Sequence, residues 1–233
     1  MTSHPFENQP QGGQAPSPLR PKDAASILVL DRSGTTIRVL VGKRGNKHAF
    51  MPNFYVFPGG RRDRTDHALP YSSDLHASVL TRLTGGKTDE AAVRRGRALA
   101  LAAIRELHEE TGLVLGQLEV RGTVERLVAD LSSLRYVARA VTPPGNVRRF
   151  DTRFFCTFTD ETALQLDCMR NSEELHDLQW LDIGSNSTLN IPPITQTILE
   201  DVQAQMTAQP SLPFDLEGPY YYARRGQFLR SGI

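Results

Sequence analysis

The patterned part of the chain opens with two apolar, β-rich runs, SILVL from Ser26 to Leu30 and TIRVLV from Thr36 to Val41, separated by the turn sequence DRSGT. Together they read as a hairpin. NFYVF (53–57) is a short aromatic strand stopped at Pro58-Gly59-Gly60, where glycine admits backbone angles closed to other residues. Residues 61–88 are polar and irregular, with a second glycine pair at Gly85-Gly86. Thr88 or Asp89 then caps a helix through EAAVRRGRALALAAIRELHEE, rich in alanine and leucine, with Gly112 as its stop. VERLVADLSSL (124–134) predicts a short helix. RYVARAV (135–141), RFDTRFFCTF (149–158) and DLQWLDI (177–183) predict strands. After Pro192-Pro193, Ile194, Ile198 and Val202 recur every four residues, the mark of an amphipathic helix.

This order, strand groups on either side of one long helix, predicts an α/β domain over 25–205. Residues 1–24, rich in Pro, Gly and Gln, are expected to be a disordered tail. A C-terminal extension, 206–233, carries Tyr220-Tyr221-Tyr222 and Arg224-Arg225, and packs either on the domain or on a second subunit of a homodimer.

Composition narrows the class. The 233 residues suffice for one sizeable core, and a formal net charge of +1 provides no global field for nucleic acid or membranes, so anion binding must come from local arginines. The two cysteines, Cys156 and Cys168, form no CxxC, which points to a reducing cytoplasm; Cys156, within FFCTF, reads as a small core residue. No apolar run approaches a membrane span or the core of a signal peptide.

The chemistry concentrates in RELHEETGL (105–113). At about 100° per residue, Glu106, Glu109 and Glu110 share an arc of roughly 100° on one helix face. Like charges at this spacing repel, and they sit at the helix end that disfavours anions. A hard divalent cation, Mg²⁺ or Mn²⁺, would convert the repulsion into binding. Arg105 offers a guanidinium to hold a neighbouring carboxylate. Taken as a bare cluster, the three glutamates equally suit a solvated helix end.

RELHEETGL resembles the core of the Nudix box, Arg-Glu-apolar-any-Glu-Glu-any-Gly-apolar, at every specified position. FPGG (57–60) before it, and the strand–strand–tryptophan–helix order after it, are similar to the rest of that fold. The resemblance implies an α/β/α sandwich with a mixed sheet and an insertion at about 61–88 before the helix. The full family pattern also has a glycine and, six residues later, a glutamate eight positions before the arginine. Here those positions hold Ala91 and Arg97, so the bracing glutamate is missing. An insertion at this place is similar to a branch that includes acyl-CoA diphosphatases, although the CoA-associated signature before FPGG is only loosely echoed by VGKRGNKHAFMPNFYVFPGG.

The resemblance implies metal-dependent hydrolysis of a diphosphate linkage in a nucleoside diphosphate-X or CoA-type small molecule, by in-line attack of an activated water. Glu106, Glu109 and Glu110 would be metal ligands, with Glu109, Glu110 and Arg105 as catalytic residues. Gly59, Gly60, Arg44, Arg61 and Arg153 would contact substrate. Glu173 and Glu174 are alternative bases, and equally suit a solvated loop. Arg62, Arg148 and Arg149 either line a substrate groove or lie on the surface, and His108 is expected to be exposed. The alternative function is a non-catalytic Nudix-like module that senses a nucleotide.

Overall fold

In the computed structural model, residues 19–45, 52–185 and 188–233 are described. Most of the tail expected at 1–24, and part of the segment preceding FPGG, lie outside them.

The first strand is β1 (Lys22–Asp31), followed by β2 (Arg38–Arg44), β3 (Tyr55–Val56), β4 (Gly59–Arg61) and β5 (Tyr71–Ser73). Two helices come next, α1 (Ala77–Thr84) and α2 (Glu90–Thr111), then the strands β6 (Gly116–Arg121), β7 (Val124–Asp130), β8 (Arg135–Val141), β9 (Phe150–Phe158) and β10 (Leu175–Asp182). Helix α3 (Pro193–Ala208) and the hairpin β11 (Pro219–Arg224) and β12 (Gln227–Gly232) complete the chain. Among the described residues, the large mixed sheet has the order β10-β2-β1-β9-β8-β11-β12, with β3 on β2 and β4 on β1. The pairs β1–β9 and β8–β11 are parallel, and the others in this sheet are antiparallel. A second sheet runs β5-β7-β6.

Both faces of the central strands are covered, which explains why SILVL is apolar at consecutive positions rather than alternating. Ala25, Ile27 and Val29 of β1, with Phe155 of β9, belong to the core formed with α2. Leu28, Leu30, Val39, Val41 and Phe154 belong to the core formed with Ile198, Leu199 and Val202 of α3. The layering is α/β/α. Helix α2 is buried around its circumference from Ala98 to Ile104, between the large sheet and the smaller one, and its ALALAAI run is apolar throughout for that reason. The Asp89 side chain accepts the Ala92 N–H at its start, and Gly112 closes it with a left-handed φ of 76°.

Several expectations are corrected. Residues 124–130 form strand β7, not a helix: their apolar positions match helical spacing, but the chain turns at Gly122 (φ 66°) and pairs with β6 from Gly116 to Arg121. The segment 61–88 is not irregular, since it holds a 3-10 turn at Asp66–Ala68, β5 and α1. Lys22 and Asp23 belong to β1 rather than to a tail. The extension 206–233 is part of the fold, because its hairpin joins the large sheet beside β8. No described helix is long and apolar enough to cross a membrane.

Arg82 of α1 fixes the chain leading to this hairpin. Its guanidinium donates to the carbonyls of Tyr136 (2.9 Å), Leu216 (2.5 Å) and Phe214 (2.9 Å). Removing a donor from several part-buried acceptors at once carries the full desolvation cost. Arg82→Ala is expected to lower stability by about 3 kcal/mol, measured by urea denaturation.

Candidate functional site

The C-terminal half of α2 lies against β1 and β4, so the RELHEETGL turn faces the Pro58-Gly59-Gly60 bend. A cleft of about 310 Å³ opens there, lined at one end by Gly59, Gly60, Arg61, Glu106, Arg44 and Glu174. Phe57, Phe150 and Phe154 form part of its apolar wall, with Arg148 beside them.

The two glycines are required by close approach. A side-chain carbon on Gly60 would stand 2.2 Å from Glu106 Oε1, and one on Gly59 would stand 2.5 Å from the Ala25 carbonyl. Glu110 is 3% exposed, and its Oε2 accepts the Gly59 N–H at 2.8 Å. Burial pushes the Glu110 carboxyl up to about 8, with Glu106 and Glu174 adding repulsion, while the Gly59 N–H and Arg44 oppose the shift. Glu106 is also raised, chiefly by burial, against the pull of Arg105.

Arg105 gathers the site. Its Nε donates to Asp66 Oδ1 at 2.7 Å and its Nη2 reaches Asp66 Oδ2 at 3.3 Å and the Arg61 carbonyl at 3.2 Å. Its Nη1 serves both Glu106 (3.0 Å) and Glu109 (2.8 Å). Asp66 is fully buried and also accepts the Asp63 N–H at 2.6 Å. Sequence reasoning missed Asp66 and took the bracing acid to be absent. The signal was present, because Asp66 follows Gly60 by six residues, the interval between glycine and glutamate in the full pattern. It stands thirty-nine positions before Arg105 instead of eight.

The remaining candidates separate by position. Glu109 projects outward, its side chain 55% exposed, and pairs with Arg105 rather than joining Glu106 and Glu110. Among the described residues, no three carboxylate, imidazole or thiol side chains converge closely enough to hold a metal ion as they stand. The donor chemistry of Glu106 and Glu110 nevertheless suits a hard divalent cation: the half-buried Glu106 lines the cleft, Glu110 is buried one helical turn away, and burial destabilises both as anions. Glu174 lines the cleft, whereas Glu173 is exposed outside its lining. Arg153 is neither cleft-facing nor solvent-facing: it is 5% exposed and paired with Asp23 and Asp151, on the α2 side of β9 with Phe155. Arg149 donates to the Thr142 and Leu19 carbonyls and Arg62 pairs with Asp23, so of these three arginines it is Arg148 that lines the cleft. His108 is half-buried, not exposed.

The raised Glu110 carboxyl sets a pH dependence of stability. Between about 4.5 and 8 the folded protein holds a proton there that the unfolded chain has released, so in the absence of metal this group loses stability for the fold as pH rises through that window. Glu110→Gln is expected to raise the melting temperature of metal-free protein at pH 8 and to flatten its decline between pH 5 and 8, measured by thermal melts across pH.

Known proteins resemble this chain in sequence and in fold. The family model for the NUDIX domain matches residues 72–201. A curated Caenorhabditis elegans protein, "Putative nudix hydrolase 7", is 28% identical over 183 residues, covering 69% of this chain and 51% of that protein. The chain thus spans about half the length of that relative. Among solved structures, a NUDIX hydrolase from Alicyclobacillus acidocaldarius superposes with a TM-score of 0.51 at 22% identity, covering 83% of this chain and 88% of that one. A MutT/nudix family protein from Enterococcus faecalis gives 0.50 at 12% identity, covering 86% and 69%. With more than half of its length matched by the domain model, the chain belongs to the Nudix hydrolase superfamily.

Proposed function

We propose that this chain is a metal-dependent diphosphatase that cleaves a diphosphate linkage in a nucleoside diphosphate-X or CoA-type small molecule. The observation that carries the reading is a carboxylate pair, the half-buried Glu106 and the buried Glu110, packed against a glycine bend beside an arginine-flanked cleft.

Glu106 and Glu110 would hold Mg²⁺ or Mn²⁺, joined by Glu109 once its bond to Arg105 is exchanged. Such an ion neutralises phosphate oxygens and lowers the pKa of a bound water. The chain's own groups account for the rest. Gly59 and Gly60 present backbone without side chains, so the bend can lie directly against the Glu106 and Glu110 carboxylates and fix where they stand. Arg44, Arg61 and Arg148 supply cations along the cleft for the diphosphate oxygens. Glu174, in the lining of the cleft and within electrostatic reach of Glu110, would accept a proton from the attacking water, with Glu110 and Glu109 as the other candidate bases. Phe57, Phe150 and Phe154 offer an apolar wall for the moiety joined to the diphosphate. Asp66 is a positioning residue that aims Arg105, and through it Glu106 and Glu109. The two unpaired cysteines, one buried and one exposed, favour a reducing compartment such as the cytoplasm.

A panel of nucleotide sugars, dinucleotides, CoA esters and nucleoside triphosphates, assayed with Mg²⁺ and with Mn²⁺, is expected to show turnover that Glu110→Gln lowers by at least 10²-fold. Binding without metal-dependent turnover on any member would instead favour the nucleotide-sensing alternative. Asp66→Ala is expected to lower kcat by about 10²-fold through loss of aim, with KM less affected and Asp66→Glu restoring part of the rate, measured by steady-state kinetics.

A further inference from the structure

A second cavity, about 600 Å³, lies beyond Arg61, and Arg61 lines both. Where the first is bounded by carboxylates and aromatic rings, this one is bounded mainly by cations: Lys22 from β1, Arg61, Arg62 and Arg64 from the chain after Gly60, and Arg95 from α2. Its two acids are already engaged. Asp23 receives Arg62 at 3.4 Å, Arg95 at 2.5 Å and Arg153 at 3.4 Å, and these arginines hold its carboxyl below the usual range despite burial. Asp63 pairs with Arg61 at 2.9 Å. Lys22 and Arg64 are exposed and have no carboxylate partner among the described residues.

Cations gathered in a recess with their counter-charges saturated leave a local positive field in a protein whose net charge is only +1. The Arg62 and Arg95 guanidinia are held in place by Asp23, which lowers the ordering cost of binding an anion beside them. A compact dianion, a phosphomonoester, matches such donors by charge-assisted hydrogen bonds. Arg64 lies four residues beyond Gly60, so their Cα atoms stand at most about 14 Å apart.

We propose that this cavity is a second anion subsite that selects substrates carrying a phosphomonoester in addition to the diphosphate. The assignment rests on the diphosphatase reading of the first cleft. Lys22 and Arg64 contact the added phosphate, and Arg62 and Arg95, held by Asp23, line its seat.

The test is a binding comparison in Mg²⁺, using the hydrolysis-resistant α,β-methylene analogue of adenosine diphosphate with and without a 3′-phosphate. The wild-type protein is expected to bind the 3′-phosphorylated analogue about tenfold more tightly at low salt, a difference of about 1.4 kcal/mol. Lys22→Ala/Arg64→Ala is expected to abolish that preference while leaving affinity for the unphosphorylated analogue within about twofold, since both residues are exposed and outside the first cleft. Equal wild-type affinities, a preference that survives in the double variant, or no measurable binding of either analogue would overturn the proposal. So would inorganic phosphate binding to the analogue-loaded protein with that full gain, which would make the groove a free-phosphate site. Because these analogues are not turned over, discrimination here is independent of the hydrolysis panel, and either reading can fail alone.

Discussion

One guanidinium organises the site. Arg105 bridges a fully buried aspartate, two box glutamates and the carbonyl of Arg61, so it joins α2 to β4 and to the 3-10 turn that follows. A planar fork with fixed donors can serve these acceptors together, which an ammonium could not. The nitrogen that holds Glu106 also holds Glu109, whose side chain stays largely exposed, while the buried Glu110 is held instead by the Gly59 N–H. Burial raises the Glu106 and Glu110 carboxyls and repulsion among the acids adds to it, while Arg105 pulls Glu106 and Arg44 pulls Glu110 the other way.

That balance depends on a rigid support. Helix α2 is enclosed on both sides by sheet, with Gly96 allowing Leu80 of α1 to approach closely, so its last turn has little freedom to relieve the repulsion by moving. The opposing bend is equally constrained, since carbon atoms at Gly59 or Gly60 would meet Ala25 and Glu106. Helix and bend are thus fixed relative to one another before any ligand arrives, the condition for electrostatic preorganisation.

Much of this was legible in the sequence where local pattern and tertiary demand agree. The capped alanine–leucine helix and its RELHEETGL end are readable because α2 follows its own propensity. The order of strands and the closing helix are readable for the same reason. Residues 124–130 are not, because Val124, Leu127 and Val128 satisfy a helical period while pairing with β6 decides the outcome. Asp66 escaped notice because it reaches Arg105 through space, across a long stretch of chain. Arg153 was ambiguous because a strand covered on both faces gives no solvent-facing side, and only its contacts with Asp23 and Asp151 assign it. Glu173 and Glu174 are neighbours with opposite fates, and the direction of the chain entering β10 decides which lines the cleft.

Asp66 and Arg105 meet although thirty-eight residues separate them along the chain. Loop-closure entropy rises only logarithmically, by about 0.6 kcal/mol for each doubling of length. With Asp66 pinned to Arg105 at one end and Asp89 capping α2 at the other, the chain between them is closed by contacts that do not depend on its length. The exposed turn between α1 and α2, at Gly85-Gly86, is therefore the soft spot in a rigid motif: it can lengthen or shorten while Arg82 keeps α1 in place and the distance between the acid and the guanidinium stays the same.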